Sequence, residues 1–257
     1  MMIFSALTIA GSDPSGGAGV QSDLRTFSSF GVHGLSVIAS LTAQNTEAVT
    51  GRMDVPADFV AQQLDAVTSD FTIHAAKTGM LGNASIVEVI AERLCSRNIK
   101  NLVVDPVMVS SSGATLLDSA AVEVFKSRLI PLALLMTPNL QEAQILAETE
   151  VRDASGMEHA ARRIGELGAR FVLVKGGHLT GDPVDVLFDG SRFRYLRAAR
   201  IGTGEVHGTG CLLSAAIAAC LARGDSVDEA VDKGKDWVTR AIAGASKVGH
   251  GSRLIYP

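Results

Sequence analysis

The sequence FSALTIAGSDPSGGAGVQSDLRTFSSF, residues 4–30, carries the opening unit of an α/β fold. Phe4–Ala10 is apolar and predicts a buried strand, residues 11–19 form a glycine-rich loop, and Val20–Phe30 has the periodicity of a helix. A strand that enters a helix through a glycine loop is typical of domains that bind nucleotides or small ligands. The loop is too long for the dinucleotide fingerprint and lacks the Gly-Lys-Ser/Thr ending of a P-loop; an ordinary flexible loop is the alternative interpretation.

The rest of the chain continues this alternation. Further strands are predicted at Leu35–Ser40, Ile73–Ala76, Leu102–Val104, Leu132–Met136 and Phe171–Val174, followed by a hairpin of Val184–Phe188 and Phe193–Arg197. Further helices are predicted at Pro56–Thr68, Ser85–Cys95, Ser119–Leu129, after Thr137, and at Ser155–Leu167, Leu212–Arg223 and Ser226–Val248. The pattern predicts an α/β fold with one mainly parallel sheet covered by helices on both faces. Because no repeat or linker interrupts it, we expect residues 1–257 to form a single domain.

Composition argues against several classes of protein. With 47% apolar residues the chain can bury a large core, and its net charge of −4 argues against nucleic acid or an anionic membrane as a partner. No uninterrupted run of eighteen apolar residues predicts a transmembrane helix, and Met1–Ala10 has no basic flank, so we expect a cytoplasmic protein without a signal peptide. Cys95 and Cys220 lie among apolar helical positions and are predicted to be core residues.

The segment Val206–Ser214, VHGTGCLLS, is the candidate centre of the chemistry. Two glycines around Thr209 let successive amides turn toward one point, and the helix that follows adds its free N–H groups and its positive dipole end. Gly208, Thr209 and Gly210 are therefore predicted to form an anion hole. Cys211 in the first helical turn is expected to have a lowered pKa and to act as a base. The alternative is a tight loop in which a small cysteine only packs.

Several polar residues follow predicted strands and are expected at one edge of the sheet. Asp105 is a candidate metal or phosphate-relay group, or else the cap of a turn. Asn139 and Glu142 share the first turn of a helix and are either part of a magnesium region or a capping box. Lys175 can reach a phosphate, although a solvated lysine is the default interpretation. With the anion hole, these residues suit phosphoryl transfer from a nucleoside triphosphate, with Mg²⁺ held partly through water and Cys211 accepting a proton.

The chain resembles the ribokinase superfamily and, within it, the bacterial hydroxymethylpyrimidine and phosphomethylpyrimidine kinases of thiamine biosynthesis. The resemblance covers nearly the whole chain and rests on LTIAGSDPSGGAG (7–19), AQNT (43–46), KTGML (77–81), VDPVM (104–108), TPNLQEA (137–143), VKGGH (174–178) and HGTGC (207–211). It implies a ribokinase-like three-layer αβα sandwich with a mainly parallel central sheet. It also implies ATP-dependent phosphorylation of 4-amino-5-hydroxymethyl-2-methylpyrimidine and of the resulting monophosphate, by a homodimer.

The resemblance assigns roles to particular residues. Cys211 stands where most of the superfamily has an aspartate base. Gln44 would bind the aminopyrimidine, since its carboxamide offers a donor and an acceptor side by side. Lining the same pocket would be Gly11, Asp23, Met80 and Val107. Asn139 and Glu142 would organise Mg²⁺ and phosphates, and Lys175 and Lys235 would lie near the nucleotide.

Two departures and three alternatives accompany this interpretation. Leu212 replaces a threonine that many relatives have, and residues 252–257 lack the usual Gly-Pro-containing ending. A pyridoxine or pyridoxal kinase would use the same catalytic turn. A thiol enzyme would use Cys211 as nucleophile and His207 as its base. A ligand-binding module would show no turnover with any triphosphate.

Overall fold

The computed structural model describes residues 3–109, 116–177, 183–201 and 206–255. Its strands are β1 (Ser5–Ser12), β2 (His33–Gln44), β3 (Val49–Asp54), β4 (Ala75–Thr78), β5 (Leu102–Val104), β6 (Leu135–Met136), β7 (Phe171–Val174), β8 (Val184–Phe188) and β9 (Phe193–Arg197). Its α-helices are α1 (Gly19–Ser29), α2 (Ala57–Asp70), α3 (Ala84–Ser96), α4 (Ser119–Val124), α5 (Leu140–Ala147), α6 (Ala154–Glu166), α7 (Thr209–Ala222) and α8 (Val227–Ala243). A π turn (Phe125–Leu129) and a 3₁₀ turn (Ile130–Leu132) continue α4 toward β6.

The nine strands form one sheet in the order β3-β2-β1-β4-β5-β6-β7-β8-β9. Six neighbouring strands in this order, β2, β1, β4, β5, β6 and β7, are parallel, which confirms the predicted mainly parallel sheet. At the two edges, β3 and the β8–β9 hairpin run antiparallel to their neighbours. The carboxyl ends of the parallel strands therefore meet at one side of the sheet, where an open α/β domain holds its ligand.

Helices cover both faces of the sheet, each over its own hydrophobic core. Alternate residues of β1 show this, since Leu7 and Ile9 pack with α2, α3, α5 and α6, whereas Ala6 packs with α1, α7 and α8. From Leu212 to Ala222 every residue of α7 is buried. The alanines of this helix let it approach the sheet closely, so it forms the middle of its layer. The three-layer αβα sandwich is therefore confirmed.

Some elements differ from the sequence-based expectation. The edge strand β3 was not predicted, because an edge strand half exposed to solvent carries few apolar residues. The helix predicted to reach Val248 ends at Ala243. Cys220 is buried as predicted, but the prediction for Cys95 was wrong: its side chain lies at the exposed end of α3. None of the helices within the described residues is long and apolar enough to cross a membrane.

Candidate active site

A pocket of about 730 Å³ lies at the carboxyl edge of the parallel strands. All but one of the sequence-predicted site residues border it, namely Gly11, Gln44, Met80, Asp105, Val107, Asn139, Glu142, Lys175, Gly208, Thr209, Gly210, Cys211 and Lys235. The exception is Asp23, which is fully buried below the pocket. The fold thus brings the predicted residues together, although their placement does not assign a role to each.

The start of α7 has the geometry of the predicted anion hole. Gly208 is the N-cap and has φ +81°, a left-handed conformation that favours glycine. A Cβ at this position would lie 1.9 Å from the carbonyl oxygen of Gly17, so the glycine loop after β1 packs directly against it. The amides of Thr209, Gly210 and Cys211 precede the first helical hydrogen bond, which runs from the Leu212 amide to the Gly208 carbonyl, and are available to an anion.

The environment of Cys211 differs from the sequence-based expectation. The predicted lowering of its pKa was wrong: burial raises the pKa of the thiol to about 11. The carboxylates of Asp105 and Asp23 raise it further, whereas the Lys77 ammonium and the N–H of Gly19 act in the opposite direction. Loss of water around the sulfur outweighs the favourable position at a helix start. Cys211 is therefore a protonated thiol at neutral pH in the free protein.

Beneath this turn lies a buried ion pair. Lys77 Nζ lies 2.9 Å from Asp23 Oδ2 and 3.1 Å from Oδ1, and neither side chain has any exposed surface. The hydroxyl of Thr8 donates to the same carboxylate at 2.6 Å. Asp23 therefore holds a lysine and does not border the pocket, which differs from its predicted place in the pocket lining. No role was predicted for Lys77, but a lysine inside the four-residue buried strand β4 is itself a signal, since lysines are almost never fully buried unless paired.

A second buried cluster surrounds Asp105. One carboxylate oxygen accepts from Lys175 Nζ and Thr137 Oγ1, each at 3.0 Å, and the other accepts from Ser214 Oγ at 3.1 Å. Burial opposes ionisation of this carboxyl, but the nearby Lys175 and Lys77 ammonium groups hold its pKa below the usual value. A Cβ on Gly210 would lie 3.1 Å from Lys175 Nζ, so this ammonium adjoins the anion hole. Asp105 is therefore an ionised group that orients Lys175 toward the anion hole.

Asn139 and Glu142 begin α5, and both interpretations of their spacing have structural support. The Asn139 side chain accepts from the Glu142 amide at 2.9 Å, and the Glu142 carboxylate accepts from the Asn139 amide at 2.8 Å, which confirms the capping box. The Glu142 side chain also borders the pocket, although only 5% of the residue is exposed. Burial raises the pKa of its carboxyl to about 7, with Asp105 adding to the rise and Lys175 opposing it.

The chemistry of this cluster is compatible with Mg²⁺. No group of three or more His, Cys, Asp or Glu residues in the described parts of the chain could hold a metal ion by itself. Mg²⁺ can also be bound through one or two carboxylates together with water and phosphate. Glu142 is the residue that would hold it, because its carboxyl borders the pocket and a bound cation would favour the ionised form that burial disfavours. Asp105, whose two oxygens already accept hydrogen bonds, would meet the ion through water.

Two further groups shape the ends of the pocket. Lys235 on α8 forms an ion pair with Asp185, whose other carboxylate oxygen accepts from the Gly176 amide at 2.9 Å. Asp185 thus ties α8 to the loop after β7. At the opposite end, Gln44 Nε2 lies 3.0 Å from His207 Nε2, which lies 3.2 Å from the carboxylate of Asp13. The roles of Asp185 and Asp13 were not predicted, because each depends on contacts between distant parts of the sequence.

Of the two departures from the family pattern, Leu212 lies outside the pocket, whereas the tail reaches it at Ser252, and one motif residue cannot be placed. The Leu212 side chain is buried in the core between α7 and the sheet. In the tail, Gly251 and Ser252 donate their backbone N–H groups to Thr46, so this segment packs on the loop after β2. His178 lies outside the described residues.

Comparison with known proteins identifies relatives along the whole chain. A family model for phosphomethylpyrimidine kinase matches residues 13–255. The thiamine biosynthesis bifunctional protein of Geobacter sulfurreducens is 50% identical over 248 residues, which are 96% of this chain and 51% of that protein. The chain thus spans about half the length of that relative. The hydroxymethylpyrimidine/phosphomethylpyrimidine kinase of Streptomyces coelicolor is 45% identical over 95% of this chain and 91% of its own length.

Solved structures of kinases have the same fold. The phosphomethylpyrimidine kinase of Clostridium difficile superimposes with a TM-score of 0.83 at 42% identity, over 93% of this chain and 99% of that one. The pyridoxal kinase of Bacillus subtilis, solved as an ADP complex, gives a TM-score of 0.92 at 36% identity over 99% and 97% of the two chains. With its ribokinase-like sandwich and a family match from residue 13 to residue 255, the chain belongs to the phosphomethylpyrimidine kinase family.

Proposed function

We propose that this protein transfers the γ-phosphoryl group of ATP to the hydroxymethyl group of 4-amino-5-hydroxymethyl-2-methylpyrimidine, and then phosphorylates the monophosphate to the pyrophosphate. The observation that carries the proposal is the arrangement of one pocket. Gln44, Lys175 and Glu142 all border this pocket, and so do Cys211 and the residues of the anion hole. The names of relatives at 42–50% identity support the substrate and the thiamine pathway.

In this mechanism the anion hole stabilises the negative charge that develops on the transferred phosphoryl group. The amides of Thr209 and Gly210 and the ammonium of Lys175 supply fixed positive charge where that group would pass. Cys211, once deprotonated, accepts the proton of the attacking hydroxyl. Gln44 presents an amide donor and acceptor to the aminopyrimidine, with Gly11, Met80 and Val107 as further lining.

ATP and Mg²⁺ complete the proposal. Lys175, Lys235 and Asn139 are the candidate contacts of the nucleotide, and ADP or AMP-PCP complexes of kinases with the same fold support its binding here. Mg²⁺ at Glu142 would neutralise charge on the β- and γ-phosphates. We also infer a single kinase domain that works as a cytoplasmic homodimer; the one continuous sheet supports the single domain.

Pyridoxal kinase is the second candidate activity. The observation in its favour is the higher TM-score, 0.92 against 0.83, with the pyridoxal kinase of Bacillus subtilis. Sequence identity points the other way, at 36% against 42% for the same two structures. A thiol enzyme has less support, because the relatives are kinases and His207 Nε2, its supposed base, is engaged with Asp13 and Gln44.

The test is ADP release with Mg²⁺-ATP and each of three acceptors: the hydroxymethylpyrimidine, its monophosphate and pyridoxal. We expect turnover on both pyrimidines, with a higher kcat/KM for the hydroxymethylpyrimidine than for pyridoxal. Turnover on pyridoxal with none on either pyrimidine would keep the phosphoryl chemistry and overturn the substrate. Release of no ADP with any acceptor would overturn the proposed kinase activity itself.

A further inference from the structure

Lys77 is a fixed cation that borders the same pocket as the proposed base, and its strand β4 packs against α7, the helix that carries Cys211. It lies in β4, whose four residues are all buried, and its side chain has no exposed surface although it borders the pocket. Both oxygens of Asp23 lie within 3.1 Å of its Nζ, and Thr8 Oγ1 donates a hydrogen bond to one of them, Oδ2. A Cβ on Gly79 would lie 3.0 Å from Nζ, so the backbone above it is close and leaves the ammonium little room to move.

Burial and two carboxylates disfavour the Cys211 thiolate, so a nearby cation is required to stabilise it. The charged groups that act on it come from four elements: Lys77 on β4, Asp23 on α1, Asp105 after β5 and Lys175 after β7. Among these charges, Lys77 has the strongest effect on the pKa of the thiol and is the one that lowers it most. Lys175 forms an ion pair with Asp105 at 3.0 Å and lies beside Gly210 in the anion hole. Of the two lysines, Lys77 is the one with the larger effect on the Cys211 thiol.

We propose that Lys77, fixed by Asp23, is a positioning residue of the phosphoryl transfer whose ammonium stabilises the Cys211 thiolate. This inference rests on the proposed role of Cys211 as the base. The thiol first loses its proton to solvent, and the thiolate stands beside the ammonium. When the hydroxyl oxygen of the substrate attacks the γ-phosphorus, its proton passes to the sulfur, the bond between the phosphorus and the β,γ-bridging oxygen breaks, and ADP leaves with that electron pair.

Asp23 has a definite part in this arrangement. A lysine buried without a partner would lose its proton, since burial disfavours the charged form. The adjacent carboxylate instead keeps the pKa of Lys77 above its ordinary value, with Cys211 and Asp105 adding to the effect. The ammonium is therefore present over the whole pH range in which the kinase would work. Asp23 also raises the pKa of the thiol, but less than Lys77 lowers it.

The test measures the reactivity of Cys211 independently of turnover. Iodoacetamide alkylation of the full-length Lys77→Met protein, followed site by site by peptide mass spectrometry, distinguishes Cys211 from Cys95 and Cys220. At pH 8.0 to 9.5, below the pKa of the thiol, the rate is proportional to the thiolate fraction. We expect alkylation of Cys211 about tenfold slower or more in Lys77→Met, the effect of one pKa unit, with a similar fall in kcat and little change in KM.

Two further variants keep the result decisive. Lys77→Met leaves Asp23 unpaired and can destabilise the fold, so the double variant Lys77→Met/Asp23→Asn removes both charges; we expect it to be stable yet still slower than wild type in alkylation and kcat. Lys126→Met breaks an ion pair with Glu148 outside the pocket and should change neither rate. Wild-type alkylation in Lys77→Met, or full recovery of both rates in the double variant, would overturn the proposal. Wild-type turnover in Cys211→Ala would instead overturn the role of Cys211, whatever the alkylation rates show.

Discussion

Two clusters of buried charged groups lie beside the same pocket, and they differ in whether their positive and negative charges are equal in number. Lys77 and Asp23 form a closed pair of one cation and one carboxylate, with no exposed surface on either side chain. Around Lys175, a single ammonium stands between two carboxylates, Asp105 and Glu142. The pKa of the Glu142 carboxyl consequently rises to about 7, because Lys175 cannot compensate both for its burial and for the charge of Asp105.

This difference indicates what each cluster still needs. The balanced pair needs no ligand, and its ammonium acts on two neighbouring groups, Cys211 and Asp105. The second cluster has one positive charge too few, which a divalent cation bound with the nucleotide would supply. The charges of the Lys77–Asp23 pair are thus balanced within the chain itself, whereas those around Lys175 are balanced only when a cation is bound.

The largest effect is expected at Cys211, the proposed base beside the Lys77–Asp23 pair. Cys211→Ala should lower kcat by roughly a hundredfold to ten thousandfold, the usual contribution of a general base, with the melting temperature nearly unchanged. ADP release in steady state is the measurement. Cys220→Ala is the matched control, since Cys220 lies buried on the same helix and away from the pocket. Equal kcat values for the Cys211→Ala and wild-type proteins would mean that Cys211 only packs.

A smaller effect is expected in the unbalanced cluster. Glu142→Gln keeps an oxygen to accept from the Asn139 amide but removes the charge that would attract a cation. We expect the Mg²⁺ concentration for half-maximal activity to rise roughly tenfold, the effect of about 1.4 kcal/mol on cation binding. The measurement is a Mg²⁺ titration at saturating ATP. An unchanged Mg²⁺ requirement would leave Glu142 with its capping role alone.

The same substitution should change the pH dependence of stability. Glu142 has a pKa of about 7 in the folded protein, against about 4.3 in an unfolded chain, so the folded state binds the proton more tightly between these values. Without Mg²⁺ and nucleotide, the wild type should therefore gain about 2 kcal/mol of stability from this group as the pH falls from 8 to 5.5. Glu142→Gln should lack that gain.

Urea unfolding of both proteins at the two pH values gives this difference directly. A stability difference between wild type and Glu142→Gln that is the same at pH 8 and pH 5.5 would show that the Glu142 carboxyl titrates normally. Addition of Mg²⁺ and a nonhydrolysable nucleotide should reduce the pH effect, because a bound cation favours the ionised carboxylate.

The sequence predicted much of the architecture because the parallel strands are buried on both faces and appear as short apolar runs. The loop after β1 and the turn at Gly208 were predicted from their glycines, and the structure shows why glycine is needed there. The edge strand β3 was missed, because a strand exposed along one side has no comparable apolar run. Local pattern thus defines buried elements better than edges.

The site was predicted less completely, because its electrostatics depend on contacts between distant residues. Local position at a helix start predicted a lowered pKa for Cys211, but burial of the thiol reversed the direction, and the charges that act on it come from distant parts of the sequence. The Lys77–Asp23 pair spans 54 positions of sequence, and nothing in either local pattern links the two residues. The same limitation applies to Asp185 and Lys235, which meet across 50 positions.

The smallest effects compare two helix caps that both accept a hydrogen bond from the amide three residues later. Asp153 accepts from the Gly156 amide at 2.8 Å at the start of α6, on the exposed surface, whereas Asn139 caps α5 inside the pocket. Each alanine substitution should cost about 1 kcal/mol of stability, measured by urea unfolding. Asp153→Ala should leave the kinetics unchanged, while Asn139→Ala should also raise the KM for ATP several-fold. An unchanged KM in Asn139→Ala would make the two caps equivalent, and the nucleotide side of the pocket would then depend on Lys175 and Lys235 alone among its proposed contacts.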